Sequence, residues 1–171
     1  MVGASLDPMN LGCPTCATFD AVGRRGMSDG VDLGVRVYSL GAALEGRFQI
    51  YASPPEDTLG VSALVSLAPG VGGGPVCDFD ACRYGVVPFA QLGVVVGVRA
   101  ARFLEFVVAP RAFGELRLPK ASLSAGGSFA VLIHLPRGWS LEPEVSCFAP
   151  VAPIPFFLPR IHFGIGVLKA F

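Results

Sequence analysis

Two pairs of cysteines are the residues whose type and spacing could carry chemistry in this chain. Cys13 and Cys16 enclose two residues in the stretch LGCPTCATFD, and Cys77 and Cys82 enclose four residues in VCDFDACRYG. This spacing lets two thiolates from one tight turn reach the same zinc ion, and a structural zinc takes four such ligands. The four cysteines are therefore a candidate zinc site.

Other states of these thiols stay open at the level of sequence. The two motifs are similar to the halves of a zinc ribbon, but only over these short stretches. A disulfide within the second pair or between the pairs is an alternative, as are reduced thiols packed as small apolar groups. A redox dithiol at Cys13 and Cys16 is disfavoured, because no strand precedes them and no long helix follows. Cys147, in EVSCFAP, is predicted to lie in a strand and in the core.

The composition is that of a chain with little polar surface. Apolar residues make up 52% of it and charged residues 15%, and the mean hydropathy is +0.59; soluble domains carry about a quarter charged residues. The net charge is zero and no basic stripe is present, which argues against a nucleic-acid surface. The scarcity of Asn and Gln fits a thermophile or codon bias equally well. Burial of the surface against other subunits is the preferred explanation for the missing charge.

No stretch predicts a transmembrane helix. The best candidate, Val86 to Val98, is shorter than the ~20 residues that a spanning helix needs, and it contains Pro88 and Gln91. The apolar run near the C-terminus is interrupted by four prolines, which no helix interior tolerates. The first residues resemble no secretory signal. We therefore expect a virion or a large intracellular assembly as the location.

Alternation of apolar and polar residues with period two predicts an all-β fold. Val31, Leu33, Val35 and Val37 point one way and Arg36 the other, as in a half-buried strand. About eight or nine such segments follow each other, separated by Gly and Pro turn signals. The pattern predicts a Greek-key sandwich or barrel, of which a single jelly roll is one form. The Gly-rich stretch 70–85 is predicted to be a long loop.

Three regions follow from this pattern. Residues 1–30 are predicted to be an extended, irregular N-terminal arm, and residues 31–147 a β-sandwich domain. Residues 148–171 are predicted to be a Pro-rich C-terminal arm that ends in a last strand. Such arms commonly reach over neighbouring subunits in assemblies.

The leading functional hypothesis is a non-enzymatic structural subunit of a large assembly, most concretely a viral capsid or coat protein. Its partners would be other protein subunits, with Trp139, Phe156 and Phe157 at the interface. The first alternative is a small zinc- or ligand-binding module built on the four cysteines. The second is a membrane-associated β protein. We expect no catalytic residue and no cofactor other than zinc.

Overall fold

The computed structural model describes residues 2–5, 20–38, 41–54, 59–77, 82–117, 120–152 and 160–170. Within these ranges nearly every residue lies in a β-strand. The ten strands are β1 (Val2–Ser5), β2 (Asp20–Ser28), β3 (Val31–Tyr38), β4 (Gly41–Ala52), β5 (Gly60–Cys77), β6 (Cys82–Ala101), β7 (Leu104–Arg117), β8 (Lys120–His134), β9 (Trp139–Ala152) and β10 (Arg160–Lys169). The prediction of an all-β fold is confirmed.

The strands form one antiparallel barrel. Strands β2 to β10 make a continuous curled sheet in which each strand pairs with its neighbours in sequence. The short β1 pairs with both β2 and β10 and so closes the sheet. This up-and-down order differs from the Greek-key order expected from the sequence, because every connection joins adjacent strands. Closure matters physically, since it leaves no strand edge along the joined part of the wall.

The connections divide between two ends of the barrel. End A carries the connections β2–β3, β4–β5, β6–β7 and β8–β9, and end B carries the other five. At end A, Gly30 takes a positive φ of 79° in the turn after β2, a conformation that glycine adopts without a steric cost. The β8–β9 connection contains a 3₁₀ turn, Pro136–Gly138.

No helix in the described ranges combines the length and the apolar character needed to cross a membrane.

The two faces of each strand are distributed opposite to the usual arrangement. On β3 the side chains of Leu33, Val35 and Val37 are 48%, 50% and 49% exposed, whereas Arg36 is 8% exposed. The predicted alternation is therefore present, but the polar face is the inner one. Period-two alternation reports that a strand has two unlike faces, and the enclosing wall decides which of them is buried.

The predicted arms contribute strands to the barrel. Asp20–Ser28 lies within the predicted arm 1–30, yet it forms β2 and pairs with all of β3. In the C-terminal segment 148–171, β9 continues to Ala152 and the expected last strand is present as β10. The boundaries at residues 30 and 147 are thus not breaks in the sheet.

The predicted loop 70–85 is largely a β-hairpin. Residues up to Cys77 belong to β5 and residues from Cys82 belong to β6, in a continuous register that ends with these two cysteines opposite each other. The glycines are compatible with strand structure because, without a Cβ, they let side chains of the neighbouring strand lie close to the backbone of β5. A Cβ at Gly73 would lie 2.9 Å from the Tyr84 ring.

Candidate functional site

Small and polar side chains line the inside of the barrel. Paired residues on adjacent strands share a face, so the register and the burial together identify the inner positions. The polar inner residues, all buried or half-buried, include Arg24, Arg36, Glu45, Arg47, Ser66, Gln91, Arg111, Ser128, Glu144 and Ser146. Burying so many polar groups in a β protein requires that they satisfy one another.

The most connected polar group is a set of four charged residues that we call the Glu45 cluster: Arg24, Arg36, Glu45 and Arg47. The Glu45 carboxylate lies on β4 and is 6% exposed. It accepts hydrogen bonds from Arg24 Nε at 2.9 Å and from Arg47 Nε at 3.0 Å, and Arg36 Nε lies 3.8 Å away. One carboxylate therefore joins guanidinium groups from three adjacent strands, β2, β3 and β4.

The electrostatics of the cluster stabilise the charged form of Glu45. Burial alone would raise the pKa of this carboxyl, but Arg36, Arg47 and Arg24 outweigh it and lower the pKa to about 2. Burial, together with the neighbouring charges of Arg47 and Arg36, lowers the pKa of Arg24 to about 10 against the opposing effect of Glu45. Both groups are thus ionised at neutral pH.

The low pKa of Glu45 predicts a loss of stability in acid. The carboxyl pKa is depressed from 4.5 to about 2, so its contribution is fully present above pH 4.5 and is lost as the pH falls towards 2. We expect the free energy of unfolding to fall by about 3 kcal/mol over this window. Urea titrations of the folded protein at a series of pH values would measure it. A variant Glu45→Gln should lack this part of the pH dependence, and an identical acid profile in both proteins would contradict the assignment.

A second charged group approaches the interior from β9. Burial raises the pKa of Glu142, and the adjacent Glu144 carboxylate raises it further, while Arg47, Arg111 and Arg24 act in the opposite direction. Arg111 Nη2 lies 3.8 Å from Glu144 Oε1. The arginines that oppose the rise lie on β4, β7 and β2, so the pKa of Glu142 is set by charges from other strands as well as its own.

An apolar layer lies next to the Glu45 cluster, towards end B. We call it the Phe89–Phe113 cluster, and it consists of Ala43, Ala68, Phe89 and Phe113 from four consecutive strands. The two ring centroids are 5.3 Å apart. Ala43 and Ala68 are only 4% and 5% exposed. A small inward side chain is inaccessible to water only when other groups cover it, so the interior is filled at this level.

The outside of the barrel is apolar on nearly every strand. Large apolar side chains at outward positions of β3 to β10 are exposed rather than buried. They include Leu33, Val35, Val37, Leu44, Phe48, Leu67, Val71, Val86, Leu92, Val94, Phe106, Val108, Phe129, Val151, Ile161, Phe163, Ile165 and Val167. Scattered exposed apolar residues are normal in proteins, but a contiguous apolar wall marks a surface that meets another apolar phase.

Exposed aromatic residues mark the two ends of this wall. Tyr51, Phe103 and Trp139 lie near end A, and Tyr84 lies near end B. Trp139 is 44% exposed, and the Lys169 ammonium lies 5.2 Å from the centre of its ring. Among these, the tyrosines and Trp139 have an apolar ring with a polar tip, and such side chains favour the boundary between an apolar phase and water.

The cysteine site predicted from the sequence is only partly within the described ranges. Cys13 and Cys16 lie outside them. The backbones of Cys77 and Cys82 are paired directly across the β5–β6 hairpin, at the end of the barrel where β1 ends and β2 begins. Among the described residues no group of three or more His, Cys, Asp or Glu residues is arranged to hold a metal ion.

Two other predicted positions can be located. Cys147 lies in a strand as predicted, but it is exposed on the outer face, so its assignment to the core was wrong. Outward positions on this barrel are apolar, which is why an apolar-looking segment did not indicate burial. Trp139 is exposed at the start of β9, while Phe156 and Phe157 lie outside the described ranges.

The charged interior was not predicted from the sequence, although the sequence carries a signal for it. Arg36 alternates with valines on β3, and Glu45 and Arg47 share the opposite face to Leu44 and Phe48 on β4. A charged face would ordinarily be assigned to solvent. The scarcity of charge elsewhere in the chain is the observation that could have prompted the reverse assignment.

Comparison with protein-family models, curated proteins and solved structures finds no match to this chain.

Proposed function

We propose that this chain is an integral membrane β-barrel protein, the more specific form of the membrane-associated alternative. The observation that carries the proposal is the inverted distribution of side chains: charged residues inside and large apolar residues outside around the wall. In barrels that span a membrane, strands alternate between apolar residues that face lipid and polar residues that face the interior. The occupant of the outer surface is therefore lipid acyl chains.

The height of the apolar wall supports lipid acyl chains as the surroundings of the barrel. On β7 the outward apolar positions extend from Leu104 to Leu116. At a rise of ~3.3 Å per residue and a tilt of ~40°, this stretch covers roughly 30 Å along the barrel axis. The hydrocarbon core of a bilayer is about 30 Å thick. The apolar wall on this strand thus has the height that a bilayer requires.

The placement of charge and backbone polarity is also compatible with lipid. The exposed Arg25 and the half-buried Lys169 lie near end A, where long side chains can reach the headgroup region. Continuous pairing from β2 to β10, with β1 between the two outer strands, satisfies the backbone groups of the joined wall. Unpaired backbone groups would be costly in hydrocarbon.

The structural-subunit hypothesis explains the exposed apolar surface by burial against neighbouring subunits, but it does not explain the interior. A subunit whose wall is covered by other subunits has no reason to bury a cluster such as Arg24, Arg36, Glu45 and Arg47 in its own centre, because an apolar core of similar volume is often equally stable or more stable. A membrane barrel, by contrast, has its apolar groups drawn to the outside by lipid. The membrane function is therefore the one that the geometry supports best.

The single tryptophan, Trp139, provides a direct test. We expect the reconstituted protein to float with lipid vesicles, and its fluorescence to be quenched more strongly by lipids brominated near the headgroup than by lipids brominated deep in the acyl chain. The reason is that Trp139 lies exposed at end A, at the edge of the apolar wall. The urea-unfolded chain mixed with the same vesicles is the control.

Two outcomes would contradict the proposal. One is fluorescence that no brominated lipid quenches. The other is a large, detergent-free oligomer that does not bind vesicles, which would favour the structural-subunit hypothesis instead.

A further inference from the structure

We infer that the barrel interior is a closed path for small hydrated ions, and that the Phe89–Phe113 cluster is the constriction that closes it. This inference rests on the proposed membrane function, because a path through the interior has a role only when the barrel separates two aqueous compartments.

Polar groups lie on both sides of the constriction. On β7, Glu115 is the next inward residue after Phe113 towards end B, and it lies opposite Phe89 in the register. Glu115 Oε2 accepts a hydrogen bond from Ser122 Oγ at 3.3 Å, and both residues are half-buried at inner positions. Towards end A lie Ser66 and the Glu45 cluster. Polar linings at both ends of an apolar segment are the arrangement of a hydrophobic constriction, which blocks ions by excluding water.

The chain makes room for the phenylalanine rings. Gly70 lies opposite Phe89 on the inner face, and a Cβ at this glycine would be 2.5 Å from Phe89 Cζ. The ring therefore lies over the backbone of β5 at Gly70, towards Ala43 and Ala68. Any side chain at residue 70 would displace the ring from this position.

The constriction is adjacent to a polar atom that needs a partner. Gln91 lies between Ala68 and Phe113 in the same row of paired residues. Its side-chain oxygen Oε1 is buried and accepts no hydrogen bond from the described residues. A buried amide oxygen without a partner is costly. Gln91 stands in the row of the apolar layer nearest end A, and the next inward position of β6 on that side, Gly93, pairs with Ser66. The unpartnered oxygen therefore lies where the apolar layer meets the polar one.

The Glu45 cluster also fills the interior, but it differs chemically from the constriction. Charged groups retain a strong affinity for water, so a charged layer can be wetted when the neighbouring layer is opened. An apolar layer sheds water at the same diameter. We therefore assign the closure to Phe89 and Phe113 rather than to the arginines.

The test is conductance in planar bilayers bathed in potassium chloride. We expect the wild-type barrel to be nearly silent and the double variant Phe89→Ala, Phe113→Ala to conduct at least about tenfold more, because removing both rings wets the constriction. The matched control is Phe106→Ala with Phe129→Ala. The rings of Phe106 and Phe129 are stacked on the outer face with their centroids 6.3 Å apart. Their removal therefore deletes two phenyl rings, as in the test variant, but leaves the interior unchanged.

The outcomes separate this inference from the proposed function. Insertion is monitored independently by quenching of Trp139. An inserted double variant that stays silent, or an inserted wild type that already conducts as well as the variant, would overturn the constriction and leave the membrane barrel intact. Failure of the wild type to insert would overturn both.

A single substitution keeps the inference testable if the double variant does not fold. If the double variant does not insert, Phe113→Ser alone should give a smaller rise in conductance. An inserted Phe113→Ser barrel as silent as the wild type would also overturn the inference.

Discussion

Replacing Val108 by arginine is expected to lower the free energy of unfolding of the vesicle-reconstituted protein by about 2–4 kcal/mol. Val108 lies near the middle of the apolar stretch of β7, points outward and is 51% exposed. In a bilayer this position faces acyl chains, where a guanidinium loses its hydration. Urea titration of wild type and variant in the same vesicles measures the difference.

The matched control for this variant is Leu135→Arg. Leu135 is 49% exposed, almost as much as Val108, but it lies in the β8–β9 connection at end A. At the level of the headgroups an arginine costs only about 0–1 kcal/mol. A surface exposed to water would tolerate both substitutions within about 0.5 kcal/mol. Equal and small effects at the two positions would therefore contradict the assignment of the wall to lipid.

The second large effect is expected at Glu45. Replacing it by glutamine should lower the free energy of unfolding by about 3–5 kcal/mol, the cost of removing one partner from a buried ion pair. Arg24 and Arg47 would lose a charged acceptor that now lies 2.9 Å and 3.0 Å from their Nε atoms. Because glutamine has nearly the same volume as glutamate, the loss of stability would come from the missing charge and not from changed packing.

The control for Glu45 is Glu115→Gln on β7. Glu115 also faces inward and accepts a hydrogen bond from Ser122, but it is less buried and lies towards end B. We expect its replacement to cost about 1 kcal/mol or less. If Glu45→Gln is as mild as this control, the Glu45 cluster does not hold the three strands together, and the account of the interior is wrong.

Strand structure could be predicted from the sequence because alternation is a local property. On β3, the positions of Val35 and Val37 relative to Arg36 follow from the geometry of an extended chain alone. The direction of the two faces could not be predicted in the same way. It depends on what surrounds the finished barrel, and the usual assumption of water outside assigns Arg36 to the wrong side.

Other features depended on pairing with distant residues. Gly72 to Gly74 indicate a loop when they are considered alone, yet β6 supplies a partner for each of them and extends β5 as far as Cys77. Asp20–Ser28 likewise becomes a strand because β3 lies beside it. The cysteine pairs were recognised by their spacing, and whether all four bind one metal ion stays a prediction.

The most direct test of the membrane assignment moves the single tryptophan from the edge of the wall to its middle. In the variant Trp139→Phe, Val108→Trp, we predict that the strongest quenching shifts from lipids brominated near the headgroup to lipids brominated deep in the acyl chain. Such a shift would place the outward face of β7 in the hydrocarbon core. If the relocated tryptophan is instead quenched by a water-soluble quencher and by no brominated lipid, the apolar wall does not face a membrane.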